Sequence, residues 1–104
     1  MLDDKVRQEI RTRLESAFRE RLKGVLLFGS EARGDASAES DVDLMVLLEE
    51  PVRLGIDLQR IVDALYPLQL ELDAPIHAVP VPLGSFEAGE YSLHRNARRE
   101  GMRL

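Results

Sequence analysis

The sequence predicts a small α/β or α+β domain in which a short sheet is flanked by helices. Three observations lead there. Apolar residues recur at helical spacing over residues 3–23 and again over 54–66. Three short apolar runs, at 25–28, 42–48 and 76–81, have the length and the Val/Leu content of buried strands. The chain has 104 residues, 44% of them hydrophobic and 32% charged, which suits one core and one domain spanning 1–104.

Taken in order, Val6, Ile10, Leu14, Phe18 and Leu22 repeat every four residues and form one apolar stripe. Asp3 and Asp4 suit the positive end of that first helix, and Gly24 is placed to stop it. The run at 25–28 closes on Gly29-Ser30 and reads as a buried strand. Residues 29–40 are small and polar and read as a loop, with room for one helical turn between Ser30 and Gly34. The second strand, 42–48, ends before Pro51. Leu54, Leu58, Ile61, Val62 and Leu65 make a second amphipathic helix, which Pro67 should end or kink. Residues 68–72 alternate with period two, yet also suit a continued helix, and the sequence does not decide between them. The third strand, 76–81, lies among Pro75, Pro80 and Pro82, which suggests a sheet edge. Ser85 is placed to cap a short helix, and 91–100 reads as a last helix stopped by Gly101. Tyr66 and Tyr91 suit core or rim positions, and His94 a solvated helix face.

Composition excludes several functions. No run approaches 18 apolar residues, so no membrane span is expected. The charged N-terminus has no apolar signal core, and the chain has no cysteine. Disulfides, zinc–thiolate sites and thiol catalysis are thereby excluded, and a cytoplasmic location fits. Net charge is −5, but its distribution matters more. Residues 24–50 carry 7 acidic side chains and one basic one, Arg33. Such a segment repels nucleic acid, so no direct nucleic-acid binding is expected, and it attracts divalent metal. Residues 95–103 hold 4 arginines and one acid, a modest basic patch.

The chemistry concentrates in residues 25–48. A strand ends in Gly29-Ser30, ten residues follow, and Asp41-Val42-Asp43 opens the next strand. Positions two apart on a strand share a face, so Asp41 and Asp43 present paired carboxylates. Like charges that close resist joint ionisation unless a cation sits between them. Two oxygen ligands, with other positions left to water and substrate phosphates, suit magnesium at a phosphoryl-transfer site. Gly29 lets the backbone approach a ligand closely, and N–H groups after it, with the Ser30 hydroxyl, can hold phosphate oxygens. Each feature alone is ordinary, since Gly-Ser follows many strands and Asp-x-Asp occurs at many turns. Their order and spacing together are not.

That order, Phe28-Gly-Ser-Glu-Ala-Arg-Gly34 followed by Ser40-Asp-Val-Asp-Leu44, resembles the signature of the nucleotidyltransferase superfamily related to DNA polymerase beta. In length and element order the chain is similar to the minimal nucleotidyltransferases, many of which are antitoxins partnered with a HEPN-domain ribonuclease toxin. The resemblance implies a small mixed sheet of three or four strands. It implies triphosphate binding by Gly29 and Ser30, with Arg33 beside them, and two magnesium ions at Asp41 and Asp43. It further implies transfer of a nucleoside monophosphate, AMP from ATP, onto a hydroxyl. The chain has no room for an acceptor-binding domain, so a HEPN-domain toxin or a second copy is the expected partner.

The family also places a third carboxylate on the following strand, as base and second-metal ligand. Here that strand carries His77, and the nearest acid, Asp73, precedes it. His77 joins Asp41 and Asp43 as a candidate catalytic residue. Imidazole is a poor partner for hard magnesium, so the second ion is expected to be weakly held. The alternative is a binding module on the same fold that masks a partner without turnover. A phosphatase of the haloacid-dehalogenase type is disfavoured, because there the apolar run precedes the Asp-x-Asp, and here it follows.

Overall fold

The computed structural model describes residues 3–29 and 41–104. Four helices and a four-stranded sheet are seen among them, in a mixed α+β arrangement. Helix α1 runs Asp4–Phe18. Its N-cap is Asp3, whose Oδ1 accepts from the Val6 N–H at 2.8 Å and satisfies a donor the helix cannot. The stripe read from the sequence is its buried face, where Ile10, Leu14 and Phe18 enter the core. Each such side chain contributes about 1.5–3 kcal/mol by leaving water.

The first helix ends earlier than expected. Arg19, at φ 52°, breaks it, a short 3₁₀ turn follows, and strand β1 begins at Leu22, running Leu22–Phe28. Gly24 is therefore not a helix stop but a strand residue opposite Leu47. A side chain at Gly24 would meet the Arg103 guanidinium at 2.8 Å, a contact from the far end of the chain.

Strand β2 runs Val42–Leu48 and pairs antiparallel with β1. Helix α2, Leu54–Gln69, carries the chain across to strand β3, Ile76–Pro82, which pairs parallel with β2. Pro67 does not end α2, which continues to Gln69. The proline sits in the last turn, where the lost N–H concerns only the carbonyl of the exposed Asp63. Gln69 then ties helix to strand: its Nε2 donates to the Ala74 carbonyl at 3.0 Å, and its Oε1 accepts from the Ile76 N–H at 2.6 Å. Helix α3, Leu83–Ala88, has Ser85 inside it rather than at its cap. Its amino end is met instead by Glu50, whose Oε1 accepts from the Gly84 N–H at 2.8 Å. Helix α4, Ser92–Glu100, stops at Gly101 as expected. A fourth strand that the sequence did not suggest, β4 at Met102–Arg103, then pairs with β1.

The sheet order is β3-β2-β1-β4, which puts the proline-bearing β3 at an edge. One face, with Val25, Leu27, Val42, Leu44 and Val46, packs on α1 and α2. The other, with Leu26, Met45, Leu47 and Val81, packs on Phe86 of α3 and Ala97 of α4. Covering both faces explains why β1 and β2 read as continuous apolar runs. Buried Asp57 is held by Arg21 at 2.9 and 3.0 Å and by the Arg53 N–H at 3.0 Å, and these contacts fix the start of α2. The Arg21 hydrogen bonds hold the Asp57 carboxyl below the usual carboxylate range. Two aromatic expectations change. Tyr66 and Tyr91 are exposed, whereas His94 is buried between Phe86 and Tyr91. Among the described residues no helix is long and apolar enough to cross a membrane.

Candidate active site

Strand register assembles the site. Residues 41 and 43 lie on the face of β2 that carries Met45 and Leu47, because side chains alternate along a strand. Between them Val42 points the other way and is fully buried in the α1/α2 core. The core thus sets which way both carboxylates face. Paired positions on neighbouring strands share a face, and Asp43 is paired with Phe28 on β1 and His77 on β3. Asp41, Asp43 and His77 are therefore gathered on one side of one end of the sheet. The His77 Nε2 lies 3.0 Å from Asp41 Oδ2, with both side chains well exposed.

Gly29 adjoins this group directly. It follows β1 at φ +76°, a conformation that glycine adopts without steric cost. A Cβ there would stand 2.7 Å from Asp43 Oδ2. The missing side chain leaves the Asp43 carboxylate its place against the Gly29 backbone. Ser30 and Arg33, the other two candidate phosphate contacts, lie outside the described residues.

Electrostatics differ across the pair. Asp43 is half-buried, and burial pushes its carboxyl above the usual range. Nearby His77 works in the opposite direction, and Asp41 adds to the rise. A site that resists a negative charge it carries at neutral pH favours an added cation. The donor set fits one hard cation of magnesium's type, which takes one or two carboxylates and fills its remaining positions with water and phosphate oxygens. Among the described residues no group of three or more acidic, histidine or cysteine side chains is arranged to hold a metal by itself.

Asp73 does not join the group. It lies exposed in a bend before β3, and the Val42 N–H bonds the Pro75 carbonyl at 2.8 Å, so the ladder starts after it. The position opposite Asp43 belongs to His77. Sequence reasoning did not foresee the His77–Asp41 contact. It depends on β3 running parallel to β2 in one register, which no local pattern in either strand encodes.

The nucleotidyltransferase domain family matches residues 7–87. The Methanocaldococcus jannaschii protein "Putative protein adenylyltransferase MJ0604" is 32% identical over 102 residues, covering 97% of this chain and 96% of its own. The solved structure of a "putative minimal nucleotidyltransferase" superposes with a TM-score of 0.63 at 26% identity, covering 97% of this chain and 94% of that one. A mutant of the toxin-antitoxin MntA-HpeT shares the fold, with a TM-score of 0.63 at 21% identity over 100% of this chain and 72% of that one. A matched family over most of the chain, a relative matched end to end, and paired aspartates on a strand beside a left-handed glycine lead to one conclusion: this chain belongs to the nucleotidyltransferase domain family, in its minimal form.

Proposed function

We propose that the protein is a magnesium-dependent adenylyltransferase that moves AMP from ATP onto a hydroxyl of a partner protein, in the manner of an antitoxin acting on a HEPN-domain toxin. The observation that carries this reading is the placement of Asp41 and Asp43 on one strand face, with Asp43 against the Gly29 backbone. The kinship with a protein named as an adenylyltransferase supports ATP as donor, and the fold shared with a toxin-antitoxin pair supports a toxin as acceptor.

In the reaction the acceptor oxygen loses its proton and bonds to the α-phosphorus, and the bond to the β-phosphate bridge breaks, releasing pyrophosphate. Magnesium, when bound, neutralises the charge on the donor phosphates. Asp41 and Asp43 hold it. Gly29 lets the triphosphate approach the chain closely, and Ser30 and Arg33 contribute a hydroxyl donor and a positive charge. His77 stands beside both carboxylates, where the family has an acid, and is the side chain placed to receive the acceptor's proton.

The same substitution supports a second reading, a nucleotide-binding module that masks its partner with little turnover. One experiment separates the two. The protein is incubated with α-labelled ATP, magnesium and the candidate toxin. Label on the toxin, absent with Asp43→Asn, is expected for the enzyme. Magnesium-ATP binding without label is expected for the module. Absence of both binding and label would refute the site.

A further inference from the structure

We infer that Tyr66 is a second acceptor, which the site adenylylates within the same copy of the chain; the inference rests on the adenylyltransferase reading of that site. A cavity of about 350 Å³ lies between α2 and β3, and Tyr66 and His77 both line it. Strand β3 is an edge of the sheet. Four consecutive β3 residues, Ile76, His77, Ala78 and Val79, border the cavity. Their side chains alternate between the two faces of the sheet, so the cavity follows the open edge and is reached from both faces. It therefore joins α2, on one face, to the carboxylate group on the other.

Local contacts bring Tyr66 to the right end of this edge. Residues three apart on a helix are neighbours, so Tyr66 stands beside Gln69. Gln69 accepts from the Ile76 N–H at 2.6 Å, and Ile76 adjoins His77. The His77 Nε2 lies 3.0 Å from Asp41 Oδ2, and His77 is paired with Asp43. Tyr66 is 58% exposed, so its ring is free to turn about the side-chain torsions and carry the hydroxyl along the cavity.

The other hydroxyls among the described residues lie elsewhere. Thr12 and Ser16 line a separate hollow between α1 and α2. Ser85 follows the end of β3, where Pro82 is paired with Leu48, at the opposite end of the sheet from His77. Helix α4 runs back from there to Gly101, next to the Met102–Leu27 pair, so Tyr91 and Ser92 at its start are left at the far end. The transfer to Tyr66 balances without a further reagent. The Tyr66 oxygen bonds to the α-phosphorus of ATP and gives its proton to solvent, the bond to the β-phosphate bridge breaks, and pyrophosphate leaves. Tyrosine is among the side chains that take up a transferred group covalently, and a hydroxyl held on the same chain needs no bimolecular encounter.

The test uses the purified chain alone with α-labelled ATP and magnesium, followed by digestion and peptide mass mapping. One AMP on the peptide that carries Tyr66 is expected. Tyr66→Phe is expected to lose that label while binding magnesium-ATP as wild type in calorimetry. His77→Asp is run beside the wild type, so that slow turnover is not mistaken for lack of reach. A mixture of Asp43→Asn, which keeps the tyrosine, and Tyr66→Phe, which keeps the site, is expected to stay unlabelled. Label on the Asp43→Asn chain in that mixture would overturn transfer within one copy. Label confined to another residue, or no label on either the wild type or His77→Asp, would overturn the inference. Adding the candidate toxin to the same reaction separates the two levels. Label on the toxin alone leaves the proposed function standing without Tyr66 as acceptor, whereas loss of magnesium-ATP binding in the wild type refutes the site and the inference with it.

Discussion

Replacing Gly29 with alanine tests the link between backbone and carboxylate most directly. Two costs follow from the structure. At φ +76° an L-residue brings its Cβ too close to the following carbonyl, which costs about 1–2 kcal/mol. The new Cβ would also stand 2.7 Å from Asp43 Oδ2, closer than the two atoms can rest, so the carboxylate must turn away. For a domain of this size each kcal/mol lowers the midpoint by about 4–8 °C. Gly55→Ala is the matched control, because nothing lies within 4 Å of a Cβ there and alanine suits a helix better, by about 0.5–1 kcal/mol. In thermal melts Gly29→Ala is expected to fall and Gly55→Ala to hold or rise. In calorimetry with magnesium-ATP, Gly29→Ala is expected to lose affinity at least tenfold, because Asp43 is displaced, and Gly55→Ala to bind as wild type. A Gly29→Ala chain that melts lower yet binds equally well would show that the glycine serves backbone strain alone and would refute its role in placing Asp43.

Burial raises the Asp43 carboxyl, so the folded chain holds that proton more tightly than the unfolded chain. Its share of stability is present at low pH and is lost as pH rises above the ordinary aspartate value of about 4. Asp43→Asn is therefore expected to melt higher than wild type at pH 7 without metal, and to lose the difference at acid pH. Asp57 has the opposite sign: Arg21 lowers its carboxyl, so that contribution is present above the ordinary value and lost as pH falls. Asp57→Asn is expected to cost about 3 kcal/mol in urea unfolding at pH 7, the low end for a broken buried pair because Arg21 is partly exposed. At the third position, His77→Asp is expected to raise magnesium-dependent transfer while Asp73→Asn leaves it unchanged. A loss of transfer in Asp73→Asn would return the missing acid to that residue.

What could be read from the sequence was whatever local spacing carries. The stripe Ile10, Leu14, Phe18 became the buried face of α1, and the two apolar runs of β1 and β2 became central strands. Asp41 and Asp43 share a face because alternation alone requires it. The misreadings involve contacts between distant residues. Gly24 looks like a helix stop until Arg103, from the other end of the chain, is seen packed against it. His94 looks solvated because Arg95 stands beside it in an arginine-rich tail, yet Phe86 and Tyr91 enclose it. Asp57 sits among exposed helix positions in the pattern, and its partner Arg21 lies 36 residues away. Strand β4 has two residues, too few to show a period.

The position of His77 needed the tertiary structure most, and it decides what the site can do. A parallel pair joined through a helix has no tight turn to set its register, so packing must set it. Ile76 and Ala78 pack on the core beneath α2, and Gln69 binds the Ile76 N–H. Sliding β3 by one residue would bring Ile76 or Ala78 onto the carboxylate face and push His77 toward the core. An imidazole there would enter the apolar cluster that holds Leu44 and Leu65, and burying a polar ring among apolar side chains costs free energy. The register is therefore held from the apolar side, and the polar side follows. Residue 77 stands beside Asp43 whatever its chemistry, so exchanging imidazole for carboxylate changes proton affinity and metal preference at a fixed place. Under the proposed function, turnover and partner masking would differ by one side chain on a shared scaffold, and the His77→Asp variant measures that difference.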